Sequence, residues 1–166
     1  MILLKNSQKT LHLSTKTIKA QVQLLLSAAG YRDYDIGISF IGDRPVRKLN
    51  ADYRGKDKST DILSFPFKEA VKPGVLPAPQ SDDDKNLGDI YISARYVDKW
   101  CKANGVDVHE RLPVLYAHGI CHLLGYDHEE LSDYKKMKQK ETKILKKMQD
   151  WQASLDGQPN SPRSKP

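Results

Sequence analysis

Apolar residues recur along this chain in two different periods, and the changes from one to the other mark out its elements. Ile18, Val22, Leu25, Leu26 and Ala29 step by three and four, so 15–29 is predicted to be a helix with one apolar face, closed by Gly30. Ile36, Ile38 and Phe40 alternate instead with Gly37 and Ser39, the period of a strand, over 35–41. Asp43 then stands where it can cap a second helix running to about Tyr53, with Val46, Leu49 and Tyr53 facing inward. Strands are predicted again at Ile62–Phe67, where Pro66 marks a sheet edge or a strand end, and at Leu87–Ile92. Ser93 can cap a helix that buries Val97 with Trp100 or Cys101 and stops at Asn104-Gly105. Leu11–Leu13 reads as a short strand ahead of the first helix. Tyr134, Met137, Glu141, Ile144, Met148 and Trp151 return to helical spacing and give a last amphipathic helix.

The polar stretches between these patterns are equally informative. Residues 54–61 form a charged loop. Residues 68–86 carry Pro73, Pro77, Pro79 and the run Asp82-Asp83-Asp84, the composition of a mobile surface loop. The acidic run has neither the glycine turn nor the closing glutamate of a calcium loop. Asp107 with Glu110 resembles a capping box, but Pro113 follows, so the helix either kinks there or begins there at its first turn. Both solutions leave about three helical turns over 113–124. Residues 152–166 contain three prolines and little that is apolar, and are expected to be a disordered tail behind one domain spanning 1–151. Strands interleaved with helices, with too few crossovers for a doubly wound sheet, predict an α+β fold: a single mixed β-sheet of about four strands covered by helices.

Composition narrows the setting. A chain of 166 residues with 39% hydrophobic content builds one core without staples. No apolar run approaches membrane-spanning length, so no membrane partner is expected. Two cysteines, Cys101 and Cys121, do not make a disulfide framework and fit a reducing intracellular setting. The first 32 residues contain no acid, as in a mitochondrial transit peptide, yet the helical pattern at 15–29 assigns this segment to the fold. Cytoplasm and mitochondrion both remain open. The net charge of +6 favours a polyanionic partner such as nucleic acid. The cations cluster at Arg54-Gly-Lys56-Asp-Lys58 and along 135–147, where a solvated helix face is the competing reading.

Candidate chemistry is concentrated at 118–128, His-Gly-Ile-Cys-His-Leu-Leu-Gly-Tyr-Asp-His. His118 and His122 are four apart, so on a helix they lie about 40° from each other and one turn apart. Gly125 can end that helix, and the returning chain can bring His128 to the same point. Three imidazoles on a helix and the turn after it suit one Zn2+ per chain, with one coordination position left open, as catalysis requires. Cys121 fits a buried small apolar side chain better than a ligand. The histidine spacing is similar to that of metzincin proteases, but the glutamate that serves them as general base is replaced by Gly119.

Three segments together resemble the YbeY family of endoribonucleases, the rRNA maturation factors: 50–67, which includes Thr60-Asp-Ile-Leu-Ser-Phe-Pro-Phe67, then 87–93, and 118–128. The resemblance runs from about residue 35 to 150, and the Pro-rich loop is similar to that of eukaryotic members. It implies an α+β fold, zinc on His118, His122 and His128, and single-strand-specific cleavage of RNA in small-subunit rRNA maturation and ribosome quality control. It also implies that Arg54 lines the cleft near the metal, with rRNA and the small ribosomal subunit or its proteins as partners. The residues suggest how this works. Arg54 can clamp phosphate, Lys56 and Lys58 can guide the RNA backbone, and Asp61 and Asp127 can hold an imidazole or move a proton. RNA carries an internal nucleophile in its 2′-hydroxyl, so a base at position 119 is dispensable. Tyr126 and Phe65 can stack on bases, with core packing the stronger reading for Phe65. The rival functions are an RNA-binding assembly factor with a structural zinc, and a zinc peptidase.

Overall fold

The computed structural model describes residues 1–157. Its first strand is not where the apolar pattern put it. Ile2–Asn6 (β1) pairs in parallel with Asp35–Ile41 (β2), while Leu11–Leu13 belong to the connection into the helix Thr15–Ala29 (α1). The reason is position: β1 is an edge strand that half-buries Ile2 and Leu4 and leaves Leu3 exposed, so its unbroken apolar letters show no alternation. The remaining elements are Asp43–Arg54 (α2), Ile62–Pro66 (β3), Asn86–Ser93 (β4), Ala94–Asn104 (α3), Val108–Leu123 (α4) and Leu131–Asp156 (α5). The four strands form one mixed sheet in the order β1-β2-β4-β3, with β3 antiparallel to β4 and the other pairs parallel. This is the expected α+β architecture.

One face of the sheet carries Ile36, Ile38, Phe40, Ile90 and Ile92, all at 1% exposure or less, and packs beneath α1 and α4. Ser14 caps α1 through Thr17, and Gly30 ends it, as the pattern required. Ser93 likewise caps α3 through Tyr96. At α2 the cap is Gly42 rather than Asp43; the Asp43 carboxylate instead accepts a hydrogen bond from the Ser59 hydroxyl. Nor does Tyr53 face inward. It is 69% exposed, and the buried residue one turn earlier is Asn50, whose amide donates to Lys58 O at 2.8 Å. A polar side chain was needed there to tie the following loop, so the apolar stripe of α2 breaks.

The helix α4 starts at Val108, capped by Asp107 through His109 N at 2.7 Å, and Pro113 lies inside it with its ring buried. The loop 68–86 is not free. Gly74 N donates to Leu124 O at 2.9 Å, the Tyr31 hydroxyl donates to Gly74 O, and Lys68 pairs with Asp84 at 2.8 Å. Helix α5 continues to Asp156, five residues into the expected tail, because nothing before Pro159 breaks it. The rest of that tail, 158–166, lies outside the described residues. Among the described residues no helix is long and apolar enough to cross a membrane.

Candidate metal centre and cleft

Helix α4 fixes two of the three histidines. His118 and His122 share one face, with ring centroids 4.6 Å apart and their Nε2 atoms 3.1 Å apart. The third comes from the way α4 ends. Gly125 adopts φ +86°, Gly125 N donates to His122 O and Tyr126 N to Cys121 O, each at 3.0 Å. These paired bonds form a Schellman motif, which turns the chain sharply back. The Asp127 carboxylate then accepts from His128 N at 2.6 Å and Glu129 N at 3.2 Å, and holds the returning turn. His128 stacks on His118 at 5.7 Å and meets His122 at 5.0 Å. The ligand atoms of the three histidines all lie within 4.8 Å of one another, a cluster that can hold a metal ion.

The donor set fits such an ion on three further grounds. A tetrahedral zinc with bonds of about 2.0–2.1 Å holds its ligand nitrogens roughly 3.3 Å apart, close to the separation at His118 and His122. His118 Nδ1–H also donates to Glu141 Oε1 at 2.6 Å, which fixes the tautomer and leaves Nε2 bare toward the centre. Burial and the neighbouring His118 and His128 push the pKa of His122 down to about 4, so its ring is neutral and able to coordinate at ordinary pH. Cys121 is buried and does not join the cluster; burial pushes its thiol up to about 12, far from the thiolate a metal needs.

Glu141 was not assigned a role by the spacing of residues. The signal was present: an acid on the inward stripe of α5 between Met137 and Ile144, where an unpaired carboxylate would be costly. Gly119 also gains a structural meaning. A Cβ at this position would come within 2.6 Å of Ile90 Cδ1 and 3.0 Å of Ile62 Cδ1, so α4 lies too close to the sheet for a side chain.

The cluster opens onto a cleft of about 720 Å³ along the edge strand β3, lined among others by Arg54, Lys56, Asp61, Phe65, His118, His122, Asp127 and His128. Arg54 is the last residue of α2, presented on the surface by the left-handed Gly55 that follows. Lys58 is exposed but does not line the cleft. The loop is braced by Arg47, whose guanidinium donates twice to Asp57, at 2.8 and 3.2 Å, and holds that carboxyl below its ordinary pKa. Asp61 uses one oxygen to accept from Ile62 N at 2.8 Å, and the other lies 3.7 Å from Arg111, a cation that the motifs did not single out. Phe65 packs edge-on between Tyr53 and Tyr91, while Tyr126 packs against the core.

A family model described as endoribonuclease YbeY matches residues 3–149. The chain belongs to the YbeY family. The match reaches back through α1 into β1, well before the segments that carried the resemblance in sequence. The endoribonuclease YbeY of Homo sapiens is 33% identical over 144 residues, covering 87% of this chain and 86% of that protein. That of Desulforamulus reducens is 38% identical over 134 residues, covering 80% and 85%. The solution structure of TM1509 from Thermotoga maritima superposes with a TM-score of 0.61 over 99% of this chain and all of that one; at 24% identity it shows a shared fold alone.

Proposed function

We propose that this chain is a zinc-dependent, single-strand-specific endoribonuclease that acts in maturation of small-subunit rRNA and in ribosome quality control, with one zinc per chain. It works inside the cell, on rRNA and with the small ribosomal subunit or its proteins. The observation that carries this reading is the convergence of three imidazoles at the mouth of a cleft that also presents Arg54 and Lys56. Membership of a family whose relatives are named endoribonucleases supports the choice of substrate.

A zinc ion bound there supplies Lewis-acid polarisation of a phosphoryl oxygen. The chain's own residues do the rest. Glu141 orients His118, and the Asp127 turn orients His128. Arg54 grips the phosphate from the cleft wall and offsets the charge that builds as the phosphodiester is cleaved. Lys56 and Lys58 draw the backbone of the strand toward the cleft. The free oxygens of Asp61 and Asp127 face the reacting ribose and take up or return its protons. The internal 2′-hydroxyl supplies the nucleophile, consistent with an α4 that has no room for a protein base at 119.

Purified protein should contain about one zinc per chain, and His118→Ala should lose most of it together with RNA cleavage. Unchanged metal content in that variant would refute the site. Arg54→Glu should keep its zinc while single-turnover cleavage falls by about 10²–10³-fold, the size of a lost transition-state contact. Full activity in Arg54→Glu would remove this residue from the mechanism.

A further inference from the structure

The histidine cluster has a second opening. A pocket of about 220 Å³, which Arg54 does not line, is walled by α4 and α5 and lined among others by Arg111, Tyr134, Lys138 and Glu141, and it shares Asp61, His118 and His128 with the large cleft. The metal ligands therefore stand between two concavities, each bearing cations. Arg111 precedes His118 by two helical turns, on the same face of α4. Its guanidinium carbon lies 4.1 Å over the Trp100 ring. Stacking of this kind uses the face of the guanidinium and leaves its rim of N–H donors free.

Those donors have no satisfying partner. Asp61 is 3.7 Å away, beyond an N–H···O hydrogen bond, and among the described residues the Arg111 side chain makes none. At 25% exposure it is a half-buried cation, aimed by an aromatic ring, with its donors unspent beside the metal ligands. Lys138 lies across the same pocket on the exposed side of α5. Asp61 and Glu141 face this pocket too, but each already has one oxygen engaged, with Ile62 N and with His118.

We propose that Arg111 and Lys138 form a second phosphate-binding site, which grips the RNA backbone on the far side of the cleaved bond from Arg54. Resting on the endoribonuclease reading above, this gives the strand a path: in over Arg54 and Lys56, across the histidines, and out over Arg111, with Tyr134 at the exit offering a half-exposed ring to a base. Arginine suits this task because its planar fork matches two phosphate oxygens at once. A grip on both sides of the bond suits cleavage within a strand rather than at its end.

The experiment measures binding of a labelled single-stranded 2′-O-methyl oligoribonucleotide, which lacks the internal nucleophile, to the zinc-loaded protein by fluorescence anisotropy across a salt series. Wild type is compared with Arg111→Gln, Arg111→Lys, Lys138→Gln and, as a surface control on α1, Lys19→Gln. Arg111→Gln and Lys138→Gln should each weaken binding about three- to ten-fold and flatten the slope of log affinity against log salt by about 0.7, the loss of one phosphate contact on a single strand. Arg111→Lys should keep the slope, and Lys19→Gln should match wild type. A merely structural Arg111 would alter thermal stability without moving the slope. Lys138 is exposed, so its variant reports even if loss of Arg111 disturbs the packing on Trp100. Slopes equal to wild type in both variants, from a wild type that binds and cleaves RNA, overturn the second site alone. A wild type that neither binds nor cleaves overturns the endoribonuclease reading as well.

Discussion

Glu141 determines what His118 can be. A carboxylate 2.6 Å from Nδ1, only 12% exposed, holds the proton on that nitrogen and makes the opposite nitrogen a better donor to a cation. Glu141→Gln keeps the shape and removes the charge, so metal affinity should fall about 10–100-fold in a chelator-competition titration, with the far-ultraviolet circular dichroism unchanged. Affinity equal to wild type would reduce the pair to a packing contact. The convergence of the three histidines was legible in the sequence because spacing within one helix and turn is local information. Glu141 was not, since its contact joins residues 23 apart on α4 and α5, and only the docking of two helices brings them together. Arg111 escaped for the same reason: its meaning depends on Trp100 and Asp61, which come from α3 and from the loop leading into β3.

At the scale of elements, α4 serves two partners. One face delivers His118 and His122 to the cleft, and the adjoining face presses on Ile62 and Ile90 through Gly119. The closeness of that contact sets how far the imidazoles stand from β3 and hence the width of the cleft. Gly119→Ala inserts a methyl group where Ile90 must yield, and should destabilise the protein by about 1–3 kcal/mol in urea unfolding while zinc still binds. No loss of stability would show that the isoleucines repack freely. Gly119→Glu should be worse, and should not confer peptide cleavage, because the new side chain meets the sheet first. Element existence was mostly readable: the helices, β2, β3 and β4 followed their periods. The failures were β1, an edge strand with little to bury, and the inward face of α2, where the buried Asn50 holds the loop after Arg54 at the expense of an apolar stripe.

For the molecule as a whole, an ion held by the three histidines would be a fastener. Its ligands come from α4 and the turn after it, its brace from α5, and its cleft wall from α2 and β3. An ion that binds only the folded chain stabilises it by RT ln(1 + [L]/Kd), about 4 kcal/mol at a thousandfold excess over Kd, so zinc should raise Tm by several degrees and a chelator should return it. The metal-free protein should also be acid-sensitive through His122. With its folded pKa lowered to about 4 by burial and by the neighbouring histidines, His122 stays neutral where the unfolded chain, near the ordinary imidazole value of about 6.5, already binds a proton. The unfolded state then binds more protons, so stability falls as pH falls from about 6.5 to about 4. Thermal melts of chelator-treated protein across that window should show Tm dropping with acid, and His122→Gln should flatten the drop. A slope unchanged by His122→Gln would place the acid sensitivity elsewhere in the fold.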